Sequence, residues 1–235
     1  MLEIIHSKGL PLDCIVTVDV WATSTISADL PSVEAFKKYA DKEILKRYGM
    51  QVLHIKSDRS YEEQFYAKFQ TGKRKGEIYG FPYRQGPWCN NRLKIRAMKH
   101  FQHKQGNPLV YIGYAINEKS AARQKRINEY LSQNCYGKIR YPLCDYGITE
   151  EQAFDWCRNQ KLLSPSYDIT NRGGCWFCHN QKNTELEFLM KQYPQYMELL
   201  LKWDQDSPHS FHPDGKTVHK IVEEIQEKRK QLSFL

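Results

Sequence analysis

No stretch of this 235-residue sequence approaches the roughly 20 consecutive apolar residues that a bilayer-spanning helix needs. The opening Met1-Leu2-Glu3-Ile4-Ile5-His6 lacks the basic region, apolar core and small-residue cleavage site of a secretory leader. A cytoplasmic protein without a membrane partner is therefore expected. No internal repeat or low-complexity tract interrupts the chain, which sets aside a repeat array. Acidic residues run short: 27 Asp and Glu stand against 35 Lys and Arg, a formal charge of +8. That balance suits a polyanion such as a nucleotide, tRNA or DNA, and equally suits a merely basic surface. Hydrophobic residues (40%) and aromatics (13%) suffice for a packed core, and the length suits one domain with a small appendage.

Cysteine is present as an odd set of seven, two of them spaced Cys175-x-x-Cys178. In a cytoplasmic chain this spacing reads better as metal, cluster or redox chemistry than as a disulfide framework. Trp176 and Phe177 between them would shelter a bound metal from water. A redox dithiol and plain buried cysteines remain the other readings.

The order of elements predicts an α/β fold. A short helix over Met1–Ser7 ends before Gly9-Leu10-Pro11, and Cys14–Val18 reads as a buried strand ending at Asp19. A proline in the first turn and apolar positions Val33, Phe36, Tyr39, Ala40 and Ile44 predict a helix over 31–48, followed by a strand at Gln51–Ile55. Strand, helix, strand is the unit of a parallel sheet, which binds ligands beyond the carboxyl ends of its strands, near Asp19, Ser57 and Asp58. Further helices are predicted over 60–70, 90–103, 149–159, 184–203 and 216–231, with strands at Leu109–Gly113 and Ile139–Leu143. Thr149 and Gln152 stand at capping-box positions. Residues 71–85 read as a long basic and aromatic loop, and Lys73–Arg84 mixes the groups that contact phosphate and stack on bases.

Three segments then point to one family. Trp88-Cys89-Asn90-Asn91-Arg92-Leu93-Lys94 resembles a W-C-x-x-x-L-K motif. Ile112-Gly113 with Glu118, and Arg123 downstream, resembles an I-G-x-x-x-x-E segment, and Cys175-Trp176-Phe177-Cys178 resembles a late C-W-x-C. Tyr141-Pro142-Leu143, Tyr146–Glu150 and Trp156-Cys157 match further positions between them. In this order they resemble the phosphoadenosine-phosphosulfate (PAPS) reductase-like family of adenine-nucleotide α-hydrolase folds, over roughly residues 8–182.

That resemblance implies a Rossmann-like parallel sheet over residues 1–182, with 183–235 as a C-terminal helical extension. It implies an adenine nucleotide, ATP or PAPS, handled in sulfur transfer or reduction. By the same resemblance, Asp19, Arg92, Lys94, Glu118 and Arg123 are the nucleotide and substrate residues. Cys89, Cys157, Cys175 and Cys178 are the metal ligands, with Cys144 in reserve, His179 a further candidate, and Cys14 and Cys135 structural. Zinc and a four-iron, four-sulfur cluster both stay open. Related enzymes carry a second cysteine where Asn90 stands.

The family's opening strand and S-G-G-K-D-S loop would precede residue 1, Ile4–Asp13 resembling the tail of the helix that follows it. Backbone amides of such a loop hold the pyrophosphate. Two readings follow. One is an enzyme of the PAPS reductase and ATP-pyrophosphatase type, its phosphate loop supplied upstream or by another chain. The other is a catalytically degenerate, metal-stabilised scaffold that binds nucleic acid or a protein partner, including a second copy of itself.

Overall fold

The computed structural model describes residues 1–82, 87–132, 138–169 and 173–233. Tyr83 and Arg84 of the basic loop, and Cys135, lie outside the described residues. The chain is mixed α/β. Its first half runs α1 (Leu2–Ser7), β1 (Ile15–Asp19), α2 (Pro31–Tyr48), β2 (Val52–Lys56) and α3 (Tyr61–Phe65). Then come α4 (Trp88–Asn90), a π-helical turn (Asn91–Ile95), α5 (Arg96–Lys104), β3 (Val110–Tyr111), α6 (Ala121–Ser132) and β4 (Ile139–Arg140). The remainder is helical: α7 (Pro142–Asp145), α8 (Glu150–Asn159), α9 (Ser166–Ile169), α10 (Asn183–Gln192), α11 (Pro194–Asp206) and α12 (Val218–Ser233). The described strands form two two-stranded sheets, β1 beside β2 and β3 parallel to β4, the latter pairing Val110 with Ile139 and Tyr111 with Arg140.

Local chemistry explains where the elements depart from expectation. Pro142 cannot donate to a strand ladder, so the strand expected at Ile139–Leu143 stops at Arg140 and Pro142 opens α7 instead. The helix expected over 184–203 is two helices, because Pro194 sits at the start of α11. The helix expected over 60–70 ends at Phe65; beyond it Lys68 bridges to Ile78 as an antiparallel pair. The capping box at α8 forms: Thr149 Oγ1 accepts from Gln152 N at 3.2 Å, and the Gln152 side chain accepts from Thr149 N at 3.0 Å.

The chain divides into two compact units. Unit 1 comprises Met1–Val16, Lys37–Leu53 and Lys99–Ser164. Ile127, Tyr130, Tyr141 and Cys144 form its buried cluster, with Ile112 and Tyr114 packed against them. Unit 2 comprises Thr17–Phe36, His54–Met98 and Pro165–Leu235. Its core is aromatic: Tyr61, Phe65, Phe81, Trp176, Phe177, Trp203 and Phe211 are all at most 3% exposed. Trp176 and Trp203 stack at 5.7 Å, and Tyr61 lies 5.2 Å from Trp203. Each such ring buries roughly 150–250 Å², so a few of them dominate the energetics of the unit. From the segment after residue 182, Leu186, Leu189, Leu200, Trp203, Val218 and Ile221 contribute to this core.

Two details fix unit 2 around its core. The buried carboxylate of Asp204, at the end of α11, accepts from Val218 N (2.9 Å) and His219 N (3.1 Å), satisfying amides at the start of α12. Gly80 adopts φ +62°, and a Cβ there would lie 2.6 Å from Pro208 Cδ, so glycine is required by both conformation and space.

Candidate thiolate site

The centre of the site is α3, a five-residue helix held by its own cap. Ser60 Oγ accepts from Glu63 N at 3.2 Å, and the Glu63 carboxylate accepts from Ser60 N at 2.7 Å. Tyr61 N and Glu62 N donate to the carbonyls of Trp21 and Ala22. This anchorage turns Tyr61 into the interior, where its ring is 1% exposed. It stacks on Trp88 at 5.0 Å and meets Phe177 at 4.2 Å. Those two residues are the chain neighbours of Cys89 and of Cys178.

Cys89, Cys175 and Cys178 are thus brought to one neighbourhood from two distant segments. Cys89 and Cys175 pack against the same aromatic core. Burial, with the charge of a neighbouring Cys178 thiolate added, pushes the Cys89 thiol up to about 11. Burial pushes Cys175 up to about 12, with Cys178, Asp29 and Cys89 adding to the rise while Lys94 opposes it. Burial and the same three cysteines push the Tyr61 hydroxyl well above its ordinary range. The Cys175–Cys178 segment is a tight turn in which Cys178 N donates to Cys175 O at 3.0 Å. His179, next in sequence, is buried.

Among the described residues no group of three His, Cys, Asp or Glu side chains is arranged to hold a metal ion. Cys89, Cys175 and Cys178 are half-buried in one neighbourhood, the Lys94 ammonium opposes the rise at Cys89 and Cys175, and the Tyr61 hydroxyl is buried without a hydrogen-bond partner among the described residues.

The other expected residues fall in several places. Arg92 lies in the π-helical turn, where its guanidinium sits 4.4 Å over the Tyr79 ring and donates to the Tyr79 hydroxyl at 2.6 Å. Lys94 is exposed on the same turn. Asp19, at the end of β1, pairs with His54 Nδ1 at 2.8 Å. These are in unit 2. Cys157 belongs to unit 1, where its neighbours include the Met1 amine and Tyr48. Glu118 and Arg123 are also in unit 1 and pair with each other at 3.0 Å, Arg123 lying 5.4 Å over the Tyr114 ring. Cys144, in the core of unit 1, donates its thiol proton to Tyr114 O at 3.2 Å. Unit 1 also holds a cavity of about 260 Å³ lined by Leu2, Ile5, His6, Leu10, Tyr48 and Met50, which contains none of the expected site residues.

Comparison with known proteins adds one distant likeness. The chain is 22% identical over 184 residues to the "Uncharacterized protein MJ0066" of Methanocaldococcus jannaschii, a match covering 76% of this chain and 34% of that protein. It therefore spans about a third of that relative's length. No family model matches the chain. No solved structure matches it either. No helix among the described residues is long and apolar enough to cross a membrane.

Sequence reasoning missed Tyr61. Its only local signal is the S-x-x-E capping box of Ser60 and Glu63, which marks a helix start followed at once by an aromatic residue.

Proposed function

We propose that this chain is a PAPS reductase-like, adenine-nucleotide-binding protein that acts in sulfur transfer or reduction, with Cys89, Cys175 and Cys178 holding a metal or iron–sulfur group. The convergence of Cys89 with the Cys175–Cys178 turn in one half-buried neighbourhood beside the aromatic core carries this reading. When bound, an iron–sulfur cluster would supply electrons or an iron that takes sulfur, whereas zinc would supply a structural clamp or a Lewis acid.

The chain's own residues have definable roles in this reading. Trp88, Phe177 and Tyr61 exclude water from the thiols. Lys94 places cationic charge beside them, and Arg92 on the same turn adds a second cation, suited to the sulfate or phosphate of an activated nucleotide. Asp19, at the carboxyl end of β1, stands where open α/β sheets receive the ribose, and would exchange its His54 partner for the ligand. In this reading β1 and β2 belong to a Rossmann-like sheet.

Elemental analysis and an absorption spectrum of anaerobically purified protein, before and after ATP or PAPS, test the proposal. Iron with sulfide and a nucleotide-dependent spectral change support a sulfur-handling enzyme; zinc without any nucleotide effect supports a metal-stabilised scaffold. Protein free of any thiolate-bound metal contradicts both.

The scaffold reading draws on one observation of its own. Lys68, Lys73 and Lys75 are exposed around a stack in which Arg74 lies 4.3 Å over Phe69 and Phe69 lies 4.1 Å from Tyr79. Such a face suits a phosphodiester backbone. Fluorescence anisotropy with a labelled single-stranded oligonucleotide, titrated at several salt concentrations, checks it.

A further inference from the structure

Positive charge is concentrated on one hairpin of unit 2 and on the turn beside it. Residues 67–79 fold back on themselves: Tyr79 N donates to Ala67 O and Phe69 N to Glu77 O, both at 2.9 Å, and Lys68 bridges to Ile78. Gly72 and Gly76 near its tip adopt φ +81° and +91°, which residues with a Cβ rarely take. The hairpin carries Lys68, Lys73, Arg74 and Lys75, and the turn after Trp88 adds Arg92, Lys94 and Arg96, with Glu77 the single carboxylate of either. Arg74 Nε takes that carboxylate at 2.9 Å, so the hairpin has no second acid for its lysines. Lys68, Lys73, Lys75 and Lys94 are exposed. A face that needs only solvation mixes both signs. Aromatic rings join the two elements. Arg74 lies 4.3 Å over Phe69, Phe69 lies 4.1 Å from Tyr79, and Arg92 lies 4.4 Å over Tyr79. Tyr79 meets Trp88 edge-on at 6.3 Å, and Trp88 Nε1 donates to Gly80 O at 3.2 Å. Phe69, Tyr79 and Trp88 are half-buried, so part of each ring stays open. The ladder leads from the lysines of the hairpin to Trp88, the chain neighbour of Cys89, and the Lys94 charge acts on both Cys89 and Cys175.

We propose that a single-stranded nucleic acid is the partner of the thiol neighbourhood: it runs along the hairpin with its phosphates on Lys68, Lys73 and Lys75, and one nucleotide reaches Trp88, Cys89 and Lys94. The inference rests on the reading of Cys89, Cys175 and Cys178 as the functional site, and it needs no metal on them. It makes the basic face and the thiols one site. Cations alternating with half-open rings match a strand that offers both phosphates and unpaired bases. A duplex keeps its base faces inside its own stack and would use the lysines alone. An acidic peptide brings charge without a row of planar faces.

The probe is a labelled oligothymidylate of about 16 nucleotides carrying 5-iodouracil, with an unlabelled single strand, a duplex of the same length and polyglutamate as competitors. Wild-type protein is compared with the double variant Lys73→Gln, Lys75→Gln, whose exposed positions leave the fold intact. The variant is expected to bind about tenfold more weakly, and the slope of log affinity against log salt should fall by about 0.7 for each lysine removed. Irradiation of the wild-type complex should attach the strand to the peptides that hold Tyr79 and Trp88, read by mass spectrometry. Equal binding by the variant, or by neither protein, overturns the inference. So does displacement by duplex or polyglutamate as readily as by the single strand. Binding that depends on the lysines while the crosslinks fall away from Trp88 separates the hairpin from the thiols and overturns it too. Metal content of the same preparations decides the thiolate-metal reading separately, since strand binding by these lysines and rings requires no metal.

Discussion

The indole Nε1–H of Trp176 donates to the carbonyl of Ser27 at 2.8 Å, tying the Cys175–Cys178 turn to the segment that follows β1. The Trp176 amide adds a second tie, to Ala28 O at 3.0 Å. Trp176→Phe would keep an aromatic ring in the core yet strand the Ser27 carbonyl and leave a void. A loss of about 2–4 kcal/mol is expected from the lost hydrogen bond and the cavity together. Urea unfolding of the two proteins measures it directly, and an unmoved midpoint would show that this tie does not hold the turn.

In the proposed thiolate-metal reading, metal loading is coupled to folding of unit 2. Cys175→Ser and Cys178→Ser are each expected to lose bound metal and to melt at a lower temperature than the wild-type protein as purified, because thiolate ligation contributes binding energy only to the folded state. Cys14→Ser serves as the control and should keep both metal content and melting temperature. Mass spectrometry for metals beside a thermal melt gives both readouts.

Local signals made β1, α2, β2 and α8 readable in advance, since a β-branched run, a first-turn proline and a capping box each act within a few residues. Reading failed where one residue had to be weighed against its neighbours. Tyr141-Pro142-Leu143 has the apolar character of a strand, and only the missing amide of Pro142 turns it into a helix start. The meeting of Cys89 with the Cys175–Cys178 turn came from the family resemblance, because no periodicity reports a contact between residues so far apart in the chain. The burial of Tyr61 between them depends on ring packing from four separate segments, which leaves no pattern along the sequence.

Cys144 gives a pH dependence with a definite sign. Burial first, and then the nearby Asp145 and Glu118 carboxylates, push its thiol from 9.0 up to about 11. Between these values the unfolded chain has released the proton while the folded chain retains it, so stability falls as pH rises from about 9 through about 11. Thermal melts across that window should show the decline, reduced in slope for Cys144→Ala. At pH 8 the thiolate fraction is about 100-fold below that of an exposed cysteine, so iodoacetamide labelling of Cys144, followed by peptide mapping, should be correspondingly slow.

Asp204 carries a share of the stability of unit 2 larger than a surface ion pair would. Its side chain is 2% exposed, accepts two amides at the start of α12 and also meets His219 Nδ1 at 2.7 Å. Asp204→Ala removes the cap and the favourable charge at the helix N-terminus, an expected cost of about 2–3 kcal/mol. Asp204→Asn, which keeps one acceptor oxygen, should lose less. Guanidinium titrations of both variants order the two effects.

The turn at Asn91–Ile95, in which Arg96 N reaches back to Asn91 O, places one more residue in its loop of helix than an α-turn does. Such a turn holds one residue more than an α-turn, so the residues beyond it face about 100° away from where a regular helix would put them. It lies between Cys89 and Arg96, so a homologue whose helix is regular aligns with this chain only through a one-position gap inside the helix itself. An alignment that forbids gaps there will match one flank correctly and slide the other by a residue, rotating its apparent facing by about 100°. Genealogies of this segment are therefore best drawn with the two flanks counted separately, Trp88-Cys89 from one side and Arg96 onward from the other.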